Sequence, residues 1–390
     1  MKQTLTFNVS TIGSTASKIN VDAWDDSLDA YDNKEYLKSF HKLLDYINPE
    51  LRSKYGNAEG TQFSIPHGSI IVNLAIDGDQ LKVTAPFLRL PEKNRVPLLR
   101  QTAGLNFNHI DLAQIELKDG SLQFEYSCPL ALVNPYKLYY VFREICITGD
   151  KYDDEFSTKF GAERIYEPKV TPYGTSTVDT IYNTIQQSAK ECMEGLSYYE
   201  SERKYGYAWN VVACTILKIL YYAHPQGQLL NDLNKCVYDL DRQDIPLNEV
   251  VNIGKKLVER LQGMSKEQLA EDLYYVETFV SEKRRSSLKN IQENFKDTFD
   301  KVSTYIAQED YMATTVMVSY QFYNMYFYNN VQDDVNNVVV DAMTRSSAQP
   351  WHVAAPILYD AMKKIMEGNL SASVAKKKSG GFFSSLFGKK

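Results

Sequence analysis

The run LLRQTAGLNFNHIDLAQIELKDGSLQFEYSCPL, Leu98 to Leu130, decides how the first part of the chain is read. Val96, Leu98, Leu99 and Ala103 fall at helical spacing, which predicts a helix over 93–105. Ile110–Leu117 and Ser121–Tyr126 then flank Asp119-Gly120, a tight-turn pair because both positions tolerate positive φ. Upstream the signal recurs: Ser69–Ile76 and Gln80–Phe87 flank Asp77-Gly78, and Thr61–Ile65 reads as a short strand before them. Asn33–Ile47 carries Tyr36, Leu37, Phe40, Leu43, Leu44 and Ile47 at helical spacing, with Pro49 to stop it. Thr4–Val9 alternates polar and apolar, as a half-buried strand would. Downstream, Pro135 opens a helix through Phe142 to Ile147.

The order is therefore helix, three strands, helix, two strands, helix. With the Leu98–Leu130 run, it resembles the small α+β fold of type III secretion chaperones and the related YbjN-like domain, over roughly residues 33–160. There a helix ends in an Asn-containing turn and passes into an antiparallel hairpin ahead of a closing helix. The resemblance implies a dimerising, non-enzymatic domain that binds polypeptides. A long helical domain and a basic tail are this chain's departures from that pattern.

Residues 161–177 contain Pro168, Pro172 and Gly174 without periodicity and read as a linker. Beyond it, amphipathic spacing predicts helices over 178–200, 207–223, 229–240, 247–261, 266–283, 288–308, 311–329, 331–343 and 353–367, with Ser265 and Gln268 as a capping box. The expected fold class is an α+β domain (1–160) with an antiparallel sheet and three helices, then a linker (161–177), an all-helical domain (178–370) and a flexible tail (371–390). The uncharged stretch Tyr311–Gln332 carries Gln321, Asn324, Asn329 and Asn330, amides that are costly in hydrocarbon, so it reads as a buried bundle helix.

Composition narrows the function. The net charge is −6, and the five lysines after Glu367, with no acid among them, leave −11 for the rest. Such a body repels phosphate backbones, which argues against general nucleic-acid binding. Five cysteines cannot all pair, none sits in a Cys-x-x-Cys unit, and no secretory signal is apparent, which predicts buried thiols in a reducing, cytoplasmic setting. The 28 tyrosines suggest wet helix packing or a recognition surface, with ordinary half-buried packing as the simpler reading.

Catalytic motifs are missing: there is no phosphate loop, no Gly-x-Gly-x-x-Gly and no His-Glu-x-x-His. No enzymatic activity, cofactor or metal is expected. A Cys–His nucleophile pair such as Cys128 with His109 is the kind of arrangement that five cysteines and five histidines always allow, and a catalytic role is not expected of it. His224 reads as a helix-end cation. The acidic groups Asp77/Asp79, Asp153–Glu155 and Asp333/Asp334 read as solvated turns and helix ends, lacking the alternating ligands of a calcium loop. Lys283-Arg284-Arg285 before Ser286-Ser287 reads as a solvated helix face, and Trp351-His352 as an anchored helix start.

The tail, KKKSGGFFSSLFGKK from Lys376 to Lys390, is the segment that composition alone marks as functional. On a helix, Phe382, Phe383, Leu386 and Phe387 share one face, flanked by Lys376, Lys377, Lys378, Lys389 and Lys390. Burying the four apolar side chains is worth roughly 6–8 kcal/mol. Ordering the segment costs on the order of 10 kcal/mol, so docking would be weak and reversible. A protein groove, an anionic bilayer at about 1 kcal/mol per lysine, or the acidic body itself would each suit it. The leading expectation is a protein-binding adaptor or chaperone-like protein, cytoplasmic or peripheral to the inner membrane, with self-pairing into a homodimer open. A structural subunit of a larger bacterial assembly is the alternative, and an enzyme of unrecognised class is third.

Overall fold

The computed structural model describes residues 4–10, 12, 19–20 and 22–370. It is 62% helical, with a small antiparallel sheet followed by a helical region. The first part runs α1 (Asp22–Asp32), α2 (Tyr36–Ile47), α3 (Leu51–Tyr55), β1 (Gln62–His67), β2 (Ile70–Asp77), β3 (Gln80–Arg89), α4 (Arg95–Asn108), β4 (Gln114–Lys118), β5 (Ser121–Pro129), α5 (Pro135–Phe160) and β6 (Glu163–Arg164). The sheet order is β1-β2-β3-β5-β4, with β6 on β3. Both Asp-Gly pairs are turns, with Gly78 at φ 58° and Gly120 at φ 78°.

One face of the sheet carries Phe63, Ile65, Val72, Leu74, Leu81, Val83, Phe124 and Leu122 into a core shared with α2 and α5. The opposite face is polar. Register places Ser64, Asn73, Thr84, Glu125 and Gln114 in one row across five strands. The closing helix α5 is longer than expected because its buried positions continue to Phe156 and Phe160, and Gly161 caps it at φ 76°.

The later chain forms β7 (Val170–Pro172), α6 (Thr175–Ser201), α7 (Tyr205–Ala223), α8 (Gly227–Leu240), α9 (Leu247–Gly263), α10 (Lys266–Glu271), β8 (Tyr274–Val276), β9 (Arg284–Arg285), α11 (Leu288–Ala307), α12 (Tyr311–Tyr328), β10 (Asn329–Asn330), α13 (Asp333–Ser346) and α14 (Trp351–Glu367). α7 is buried on nearly every side and packs against α6, α8, α9 and α12. α9 approaches it closely at Gly254, where a Cβ would overlap the Val212 side chain. Among the described residues no helix is long and apolar enough to cross a membrane.

Three expectations are corrected. Thr4–Val9 is extended but joins no sheet; it lies against the helical cluster. The helix expected over 33–47 is α2, which starts only at Tyr36 because Lys34 at φ 62° breaks the chain, and a further helix, α1, precedes it. The expected helix over 266–283 stops at Glu271. Asp272 instead caps α8, its Oδ2 accepting from the Leu229 N–H at 2.9 Å, and β8 pairs with β7 inside the stretch read as a linker.

The segment between β8 and β9 joins the two cores. Phe279 and Val280 are 0% and 2% exposed, and both lie in the sheet core, not the helical one. The Phe279 ring sits 4.9 Å from that of Phe142 on α5. The Gly68 N–H donates to the Glu277 carbonyl at 3.0 Å, the Phe279 N–H to His67 Nδ1 at 3.0 Å, and Arg143 Nη2 to the Glu282 carbonyl at 2.9 Å. On the other side Lys283 Nζ donates to the Tyr326 carbonyl at 2.7 Å, and β9 pairs with β10. The triplet Lys283-Arg284-Arg285 is thus part of this clasp rather than a solvated helix face. Ser286 is buried, and the Ser287 hydroxyl caps α11 by accepting from the Asn290 N–H.

Phe279→Ala should lower stability by about 3–5 kcal/mol, read as a shifted urea midpoint at unchanged slope. His67 adds a pH signature. It is buried and accepts at Nδ1, and burial pushes its pKa down to about 4 from 6.5. Its contribution is fully present above pH 6.5 and is lost as pH falls toward 4, by at most about 3 kcal/mol. In His67→Asn, an amide oxygen can accept in place of Nδ1 without titrating. That variant should lose less stability than wild type across this window.

Candidate interaction surfaces

The expected docking residues Lys376, Lys377, Lys378, Phe382, Phe383, Leu386, Phe387, Lys389 and Lys390 lie outside the described residues. The other sequence candidates have structural partners. Cys128 Sγ accepts from Tyr126 Oη at 3.1 Å, while the exposed His109 sets its ring edge-on to Tyr152, 6.0 Å away. All five cysteines are buried and free, and burial pushes the Cys192 and Cys236 thiols up to about 12. Their thiolates are scarce at neutral pH.

His224 caps α7 at φ 43°, yet burial and the nearby Lys283 ammonium hold its pKa well below the usual value. It is neutral near pH 7, which corrects the helix-end cation expected there. Asp153 is likewise no solvated helix end: it is 3% exposed and accepts from Arg164 Nε at 2.7 Å, tying β6 to α5. Asp77, Asp79, Asp333 and Asp334 are exposed, as expected. Trp351 opens α14 and packs on the helical core. Among the described residues no group of three or more His, Cys, Asp or Glu is placed to hold a metal.

Each edge of the sheet is closed over part of its length by an Asn residue. On β4, Asn106 from the end of α4 makes a two-way bond with Ile115: its Nδ2 donates to the Ile115 carbonyl at 2.9 Å and its Oδ1 accepts the Ile115 N–H at 2.8 Å. Just upstream the Glu144 carboxylate accepts the N–H groups of Asp111, Leu112 and Ala113, the last at 3.0 Å. On β1, Asn57 donates its N–H to the Gln62 carbonyl at 2.9 Å and accepts the Gln62 N–H at 3.0 Å, and Pro66 has no N–H to offer. These devices suppress strand addition at either edge.

Exposed apolar side chains occur on several elements, Leu132, Tyr136 and Tyr238 among them, and the two most exposed of these large ones, Phe107 and Val96, both lie on α4. Val96, Arg100, Ala103 and Phe107 recur at the spacing that puts them on one face, and all four are exposed, Val96 at 65% and Phe107 at 86%. The opposite face buries Leu98, Thr102 and Leu105. The helix is therefore apolar on two sides but covered on one. Leu117, half exposed on neighbouring β4, extends the apolar margin. Sequence reading found α4 from Val96, Leu98, Leu99 and Ala103 without separating the exposed positions from the buried ones. The second stripe was visible in the positions of Val96, Ala103 and Phe107.

A scan against protein-family models and a comparison with curated proteins found no match.

Removing the Asn106 amide tests the edge reading. Asn106→Ala should cost about 1–2 kcal/mol through the freed Ile115 groups. It should also raise the fraction of higher-order species in sedimentation velocity; an unchanged profile would show that this edge needs no guard.

Proposed function

We propose that this protein is a non-enzymatic, polypeptide-binding adaptor of chaperone-like type, working in a reducing, cytoplasmic setting. The observation that carries the reading is the uncovered apolar stripe on α4. A nearly fully exposed Phe is worth about 2 kcal/mol when covered, and exposed apolar side chains grouped with an Arg on one helix face suit a contact surface. The element order α2, β1–β3, α4, β4–β5, α5 and the antiparallel sheet agree with the resemblance to secretion chaperones and YbjN-like domains, which implies polypeptide binding or self-pairing. Buried free thiols agree with the compartment.

With part of each edge closed, a partner meets side chains on α4 rather than extending the sheet. An amphipathic helix from a client, or α4 of a second copy, fits such a stripe. The basic, Phe-rich segment Lys376–Lys390 would be a second, reversible contact, to a partner or an anionic membrane surface.

The test uses the full chain. Val96→Asp with Phe107→Asp should leave the circular dichroism spectrum and melting temperature unchanged, since both side chains face solvent. It should abolish both self-association in sedimentation and affinity capture of the bound polypeptide. Persistence of both in the variant would overturn the α4 reading. A chain ending at Ala375 separates the two surfaces, since loss of capture only on truncation would assign docking to the tail.

A further inference from the structure

Thr4–Ser10 crosses the helical cluster as an extended run in a trench formed by α6, α7, α12 and the α13–α14 connection. Because the run has no ladder partner, the trench itself meets its backbone. The Thr4 N–H donates to the Gln349 carbonyl at 2.9 Å, the Thr6 N–H to Glu191 Oε2 at 3.0 Å, and the Phe7 N–H to Ser347 Oγ at 2.9 Å. Side chains add specificity. Thr4 Oγ1 donates to the Ser346 carbonyl at 2.5 Å, and Ser10 Oγ to the Tyr222 carbonyl at 3.1 Å. The Phe7 ring stacks on Tyr221 at 5.9 Å and tilts against Tyr323 at 6.3 Å.

At the centre, the Thr6 hydroxyl donates to Glu191 at 2.9 Å and accepts from Lys218 Nζ at 3.1 Å. Lys218 is 2% exposed on α7. Burial pulls its pKa down to about 8.

Two features separate this arrangement from ordinary core packing. A buried ammonium and a half-buried carboxylate that meet across one hydroxyl are costly to desolvate, and an apolar pair would hold a permanent strap at lower cost. A polar pair selects for a hydroxyl instead. The fit is also incomplete. A cavity of about 40 Å³ remains beside Thr4 and Leu5, walled by Tyr199, Cys214, Thr315 and Trp351. The Thr315 hydroxyl in that wall is buried without a hydrogen-bond partner. A side chain larger than Leu5 would fill the space.

We infer that this trench is a peptide-recognition site, built for an extended polypeptide segment of pattern bulky apolar, Ser/Thr, aromatic, with Leu5-Thr6-Phe7 as its displaceable occupant in cis. The occupant competes with any partner peptide, so the site reports on whether that segment is held or released. The site stands apart from α4, and neither reading depends on the other.

The probe is a fluorescent heptapeptide, TLTFNVS, and its Leu5→Phe version. These are titrated onto the intact chain and onto a full-length chain carrying Thr6→Ala and Phe7→Ala, which loosens the resident segment. The released chain should bind at least about tenfold more tightly than the intact one, because the intact site is mostly occupied. The Leu5→Phe peptide should bind more tightly than the parent. Equal or absent binding to a folded released chain would overturn the proposal.

Should that variant fail to fold, hydrogen exchange on the intact chain decides. The Thr6 and Phe7 amides should exchange by a local opening, at least about tenfold faster than the α7 core. Exchange only together with α7 would make the segment a fixed part of the fold and sink the idea.

Discussion

The burial of Phe279 and Val280 in the sheet core is the contact on which the rest of this structure depends. Both residues belong by sequence to the helical half, yet they complete the core built by β1–β5, α2 and α5. Their backbone is held by His67, Gly68 and Arg143 on one side, and Lys283 reaches the end of α12 on the other. The helical cluster in turn takes in Phe7 and Ile12. Two cores that each bury apolar residues from the other's stretch of chain are coupled by direct packing. Removing Phe279 and Val280 opens a cavity where the interior is dense.

Much of this was legible in the sequence, and the failures have physical causes. The Asp-Gly hairpins and the helical stripes of α2, α4 and α7 through α9 are local signals, and local sterics decided them. Helix α1 was missed because its exposed side is strongly acidic and only Ala23, Trp24, Ser27 and Ala30 face inward. The stretch 266–283 misled for the opposite reason. Leu269, Leu273, Val276 and Val280 keep helical spacing, but Leu269 and Leu273 enter one core and Val280 the other. Periodicity cannot tell one buried face from two separate destinations. Thr4–Val9 alternates as a strand does, but hydroxyls and a carboxylate in a helical trench replaced the ladder.

Polar chemistry in this chain serves to close and align surfaces. Asn106, Asn57 and Glu144 occupy the sheet's open backbone groups, Asp153 and Arg164 fix β6 to α5, and Asp272 ends one helix while starting another. The tyrosines act in the same way, as rings packed in pairs and clusters through both parts, such as Tyr221 with Tyr323 and Tyr326. Against that background, an exposed Phe107 and a buried Lys218 stand out as exceptions, and each marks a surface proposed to meet another polypeptide.

The exchange of segments has a consequence during synthesis. The sheet's own strands have all been made by residue 164, but the side chains that finish their core are translated more than a hundred residues later, at Phe279 and Val280. Thr4 waits longer still, since its carbonyl partners at Ser346 and Gln349 lie near the far end of the described chain. A nascent chain therefore passes through a long interval with an unfinished apolar core and an unplaced Thr4–Ser10 segment. Loop closure over such separations is slow. Asn57 and Asn106 lie within the part of the chain made before that interval begins, so the groups they occupy on the sheet edges can be closed throughout it.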